Sequence, residues 1–273
     1  MPFLSTLSVN RHTHMSFTAT VSKSIPPVLF TRADKARFLR EVIDEFEDLG
    51  QSTDHLVRSP TDAVRVGEQV VELPRYVFLG TQAGSSALKL AIYAGWQASD
   101  VGPSFALLET ARHLLRRPEE GLGYVLSLYP LVHASGIDAD SPSVDLSALR
   151  WNAAAGTEVE RLASDFSAWQ LDGWINIRRH AGADFIVATA VGLPVDPAYF
   201  PVEQGRYHII WRAASESRPG PLDLGAQLQH RAFGLELEIP AHWPDGLFAG
   251  AVSTTIRAFL TRYRAARAYA LHL

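Results

Sequence analysis

Two carboxylates two residues apart, Glu236 and Glu238, lie in the apolar run Phe233-Gly234-Leu235-Glu236-Leu237-Glu238-Ile239-Pro240. On a strand, residues i and i+2 face one side, so the two acids would share a face. There Glu238 serves either as a general base or as a salt-bridge partner, and the pair could form an acid/base dyad. Two consecutive arginines, Arg178 and Arg179, close a second apolar run and would point to opposite faces. Arg178 either holds an anionic ligand or pairs internally with Glu238 or Asp145. A third polar group is Gln82 with Ser85 and Ser86, behind the β-type run Tyr76-Val77-Phe78-Leu79. An amide and hydroxyls there either hydrogen-bond a ligand at a helix start or cap the helix. His133 and His180, with Glu238 or Asp184, are the candidates for a metal set; no His-x-x-x-His or His-Glu-x-x-His pattern occurs. Nor is there a Gly-x-Ser-x-Gly elbow, a phosphate loop or a dinucleotide glycine motif.

The elements that must position these groups follow from periodicity. Phe38, Leu39, Val42, Ile43, Phe46 and Leu49 predict a helix from Thr31 to Leu49, stopped by Gly50. Val64 to Leu73 and Arg75 to Leu79 read as strands parted near Pro74, and Ala87 to Trp96 as a helix opening directly behind the Gly80 to Ser86 turn. Phe105 to Arg116 is a second helix, with a basic last turn that suits the dipole. Gly123 to Val132 reads as a strand buried on both faces, and Thr157 to Gln170 as a third helix. Gly173 to Arg178, Asp184 to Ala190, Tyr207 to Trp211 and Ala232 to Ile239 read as strands, with Pro-rich loop between Val191 and Gln204. A helix from Leu247 to Ala270 closes the chain; its Arg257, Arg262, Arg264 and Arg267 form either a solvated face or a basic stripe. Strands alternating with helices predict an α/β fold: one domain, a mixed, mostly parallel sheet, and helices on both faces. The domain is expected over residues 26–273, behind a loose arm at residues 1–25 that includes a second candidate start at Met15.

Composition narrows the function classes. A formal charge of -4 on 273 residues argues against a general nucleic-acid partner, which would carry a basic face. No apolar run approaches a membrane span. With no cysteine there are no disulfides, thiolate metal sites or cysteine nucleophile, which fits the reducing cytoplasm.

The order of these segments resembles the zinc carboxypeptidase superfamily, most closely its succinylglutamate desuccinylase/aspartoacylase-like branch. In that family a strand ends in Gly-x-His-Gly-x-Glu, whose His and Glu bind zinc. Gly80-Thr81-Gln82-Ala83-Gly84-Ser85 stands in that place, with Gln82 for His and Ser85 for Glu. For the family's Pro-x-x-Asn-Pro-x-Gly the chain has Pro130-Leu131-Val132-His133-Ala134-Ser135-Gly136, keeping the frame and the Gly but with His133-Ala134 for Asn-Pro. For its Asp-Leu-Asn-Arg turn the chain has Asp145-Leu146-Ser147-Ala148, which keeps the turn and loses the Asn-Arg pair that handles a substrate carboxylate. Arg178 stands where the resemblance places the third zinc ligand, and Glu238 where it places the general base.

Carried through, the resemblance implies a hydrolase frame that has lost its zinc ligands. An amide, a hydroxyl and a guanidinium cannot replace two imidazoles and a carboxylate, and without the metal no water is acidified. The expectation is therefore a protein without zinc or other cofactor and without hydrolytic activity. It would bind a small polar or anionic ligand or a peptide terminus through Gln82, Ser85, His133, Asp145 and Arg178. The alternative is a metal-dependent amide hydrolase with rearranged ligands, in which zinc returns and Glu238 is its base.

Overall fold

A computed structural model describes residues 32–59, 63–66, 69–95, 100–132, 157–182, 184–194, 196–213 and 232–271. From Thr31 to Leu273 the chain forms one compact unit. The arm, the Asp145 turn and the segment from Ser215 to Pro221 lie outside the described residues.

The strands are β1 (Leu56–Ser59), β2 (Ala63–Val66), β3 (Gln69–Glu72), β4 (Arg75–Leu79), β5 (Leu88–Tyr93), β6 (Tyr124–Tyr129), β7 (Gly173–His180), β8 (Ile186–Val191), β9 (Glu203–Gln204), β10 (Tyr207–Ala213) and β11 (Phe233–Pro240). The helices are α1 (Arg32–Gln51), α2 (Gly102–Arg116), α3 (Thr157–Trp169) and α4 (Asp245–Leu271). Nine strands form one mixed sheet in the order β1-β4-β6-β5-β7-β11-β8-β10-β9, while β2 and β3 pair as a separate hairpin. The neighbours β6–β5, β5–β7, β7–β11 and β8–β10 run parallel.

Strict alternation along the central strands sorts residues between two layers. Leu90, Ile92, Leu126, Leu128, Ile175, Ile177, Leu235, Leu237 and Ile239 join the larger core with α1, α2 and α4. Ala91, Tyr93, Tyr129 and Trp174 face the other way and pack with Leu162 and Phe166 of α3. Helices thus cover both faces, as the alternation of segments predicts. On the long closing helix Arg257 pairs with Glu120, and Arg264 Nη1 donates to the Leu122 carbonyl at 2.8 Å. Two of its four arginines therefore brace the turn before β6 rather than forming a free basic stripe. Among the described residues no helix is long and apolar enough to cross a membrane.

The expected helix from Ala87 to Trp96 is instead β5. Leu88, Leu90, Ala91, Ile92 and Tyr93 are all buried, because β5 lies between β6 and β7 with helices on both sides. A strand buried on both faces has no polar side to reveal a period of two, and a short apolar run reads equally well as helix. The strand expected from Val64 to Leu73 is likewise a hairpin, β2 and β3. The segment from Gly80 to Ala87 therefore links β4 to β5, and Ser85 and Ser86 have no helix to cap.

This link is held against the turn before β6. The Gly80 amide donates to the Tyr124 carbonyl at 3.0 Å, and the Gly123 amide to Thr81 at 2.9 Å. A Cβ on Gly80 would overlap the backbone carbonyl of Gly121. Backbone cannot swing aside as a side chain does, so Gly80→Ala is expected to lower unfolding free energy by about 1–3 kcal/mol or more, read from urea midpoints.

Candidate functional site at the carboxyl edge of the sheet

β5, β6, β7 and β11 run parallel and end at one edge of the sheet, the edge where ligands collect in open α/β folds. Register builds the polar group found there. Asn176 on β7 pairs with Tyr93 on β5 and with Glu236 on β11, and Arg178 pairs with Glu238. All lie on the α3 face, beyond the apolar packing of Tyr93, Tyr129 and Trp174.

Arg178 is drawn inward. Its Nη2 donates to Glu236 Oε2 at 3.2 Å and makes a short hydrogen bond to Glu238 Oε1. Of the two outcomes open for Arg178, the internal pair with Glu238 is the one formed. Glu236 is 5% exposed, and among the described residues its Oε1 and the Arg178 Nε are buried without a hydrogen-bond partner. Burial pushes the Glu236 carboxyl above the usual carboxylate range; Arg178 opposes this and Glu238 adds to it.

Arg179, one residue on, points to the opposite face and is fully engaged. Its Nε donates to Asp100 Oδ1 at 2.9 Å, its Nη1 to the carbonyls of Ala241 and Trp243, and its Nη2 to Asp245. The guanidinium also lies 4.3 Å over the Phe248 ring. One side chain thus ties β7 to the start of α2, the turn after β11 and the start of α4. Burial raises the Asp100 carboxyl despite Arg179. The signal that could have found Asp100 is Asp100-Val101-Gly102-Pro103. An acid whose Oδ1 accepts from the Gly102 amide at 3.2 Å precedes a Pro in the first turn, the pattern of a helix start. The true strand-to-helix junction is therefore β5 to α2. Gly95 makes its turn at φ 68°, and a Cβ there would press on the Pro130 carbonyl.

The other sequence candidates are dispersed. Gln82 and Ser85 are exposed on the β4–β5 link. Because β4 runs antiparallel to β6, that link lies at the edge where β5 and β6 begin. Counting seven residues along the paired strands from Leu88 to the level of Arg178 puts them about 20 Å apart. Gln82 and Ser85 do not converge with Arg178 and Glu238, because an extra strand, not a helix, follows them. His133 and Asp145 lie outside the described residues; Val132, just before His133, is buried beside Tyr93 and Tyr129. His180 ends β7, exposed, with alternation placing it on the Arg178 face, and Asp184 is exposed before β8 at the same edge. Among the described residues no group of three His, Asp or Glu could hold a metal ion.

No protein-family sequence model matches this chain, and no curated protein matches it in sequence. Solved structures do. A metallo-carboxypeptidase from Burkholderia cenocepacia superposes with TM-score 0.59 at 14% identity, covering 86% of this chain and 70% of that one. A protein from Shewanella denitrificans described as a carboxypeptidase A gives 0.59 at 9% identity, over 81% and 69%. A protein from Shewanella amazonensis described as a metallopeptidase gives 0.55 at 16%, over 84% and 93%. The chain has the fold of the metallo-carboxypeptidases; at such low identities the likeness is one of fold.

Two expectations follow from the buried charges. Arg178→Ala would leave two carboxylates facing each other, and is expected to cost about 3 kcal/mol of unfolding free energy in urea titrations. Glu236→Gln is expected to cost less, about 1 kcal/mol. Glu236 also carries a pH signature. Its folded-state pKa lies above the unfolded value, so its contribution is fully present below the unfolded value and is lost as pH rises through the folded one. Glu236→Gln should flatten that fall in stability across the carboxylate range, measured as urea midpoints against pH.

Proposed function

We propose that this chain keeps the frame of a metallo-carboxypeptidase but neither holds zinc nor hydrolyses amides, and that it binds a small polar ligand or a peptide end at the carboxyl edge of its sheet. The observation that carries this reading is Arg178, whose guanidinium bridges Glu236 and Glu238. A guanidinium stays charged at any ordinary pH, so Glu238 is held in an ion pair where a hydrolase would need a free base. A catalytic zinc needs about three protein ligands. The described donor set, one permanent cation between two acids, does not fit a divalent ion.

The β5–α2 junction adds support. The family pattern Gly-x-His-Gly-x-Glu, laid on Gly95-Trp96-Gln97-Ala98-Ser99-Asp100, puts Gln97 at the His position and Asp100 at the Glu position. Asp100 is spoken for by Arg179. On this reading Asp100 and Glu238 are each paired with an arginine at the end of β7. Kinship to the desuccinylase/aspartoacylase-like branch rests on the frame from Pro130 to Gly136 and on Leu237-Glu238-Ile239-Pro240. A ligand carboxylate would find the exposed His180 at this edge, which supports an anionic group or a chain terminus.

One observation favours a second reading, a metal-dependent amide hydrolase with rearranged ligands. His180 is exposed at the end of β7, two residues beyond the Arg178–Glu238 pair, and in sequence His133 directly follows Val132, which is buried beside Tyr93 and Tyr129. Elemental analysis of purified protein decides between them. We expect well under one zinc per chain and no cleavage of acylated amino acids or peptide carboxyl ends. About one zinc per chain, removable by chelator with loss of such an activity, would establish the second reading.

A further inference from the structure

We infer that Glu236 and Glu238 form a guanidinium-binding seat which the chain fills with its own Arg178, so that the wild-type site is self-occupied. This rests on the reading that zinc does not sit between these acids, and it concerns the cation that the two acids hold, a group distinct from the external ligand proposed for the edge.

The tethered group fits the seat incompletely. A guanidinium and a carboxylate pair best fork to fork, with two parallel hydrogen bonds. Arg178 instead uses a single nitrogen, Nη2, for both acids. That leaves Glu236 Oε1, on a side chain 6% exposed, without a partner among the described residues, and leaves the Arg178 Nε unused. A buried carboxylate oxygen with nothing to accept from is costly, and it marks a capacity that the tether prevents Arg178 from filling. The tether is short because β7 and β11 are adjacent and Arg178 is locked in register with Glu238. A free alkylguanidinium has no such restraint. Asn176, 3% exposed and paired in register with Glu236, continues the polar row toward Tyr93. Two acids against one arginine leave the seat short of positive charge, so an external cation would be drawn to it once the resident one is removed.

The test is chemical rescue. Arg178→Ala should lower Tm by about 10 °C, and methylguanidinium, at concentrations that leave the wild type unchanged, should restore several degrees along a saturable curve. The triple variant Arg178→Ala with Glu236→Gln and Glu238→Gln should show no such recovery. Arg178→Lys, which carries its own cation into the seat, should respond little. If the alanine variant does not fold, Arg178→Gln carries the same titration. An absent response, or an equal response in the triple variant, would overturn the seat. So would a larger, stoichiometric stabilisation of Arg178→Ala by zinc than by methylguanidinium. The zinc content of the wild type is read separately, so failure of the seat and failure of the zinc-free reading give different results.

Discussion

Two consecutive arginines at the end of a central strand must both be neutralised, and the surrounding structure is arranged to do it. β7 is buried over most of its length, so Arg178 and Arg179 leave it toward opposite layers at the point where cover by apolar side chains ends. A charge in such a place is stable only with a partner of opposite sign and satisfied hydrogen bonds. Arg178 finds Glu236 and Glu238 on β11, and Arg179 finds Asp100 before α2 and Asp245 at the start of α4. Four acids from three separate segments meet two adjacent bases, and the register of β7 against β11 sets Arg178 opposite Glu238.

The two arginines do different work. Arg179 is saturated by carboxylates, carbonyls and an aromatic ring, and it fixes where two helices begin. Its role is architectural. Arg178 is satisfied only in part and lies at the carboxyl edge of the sheet, where ligands collect in open α/β folds. Buried ion pairs are poor sources of net stability compared with apolar packing.

The sequence was legible where one face is apolar and the other is not. α1, α2, α3 and α4 carry a helical stripe, and β7 and β11 alternate cleanly, Trp174-Ile175-Asn176-Ile177-Arg178 against Leu235-Glu236-Leu237-Glu238. It was misleading at β5, which is apolar on both sides, rich in Ala, Leu and Lys, and thus helix-like by propensity. That misreading moved the strand-to-helix junction from residues 94–101 to residues 80–86, and with it the supposed company of Gln82 and Ser85. One hidden strand transferred two candidate residues to the far edge of the sheet.

By itself the chain determined its class: alternating amphipathic segments, a twin carboxylate on one strand face, twin arginines closing another strand toward opposite faces, and no cysteine. Those are properties of local period and residue type, and they hold whatever the strand order. Only the tertiary structure decided which edge each group occupies, that Arg178 turns to Glu236 and Glu238, and that Arg179 claims Asp100 and Asp245. The partners of these two arginines lie up to 79 residues away in the chain, and their meeting depends on strand order and register, which no local pattern encodes.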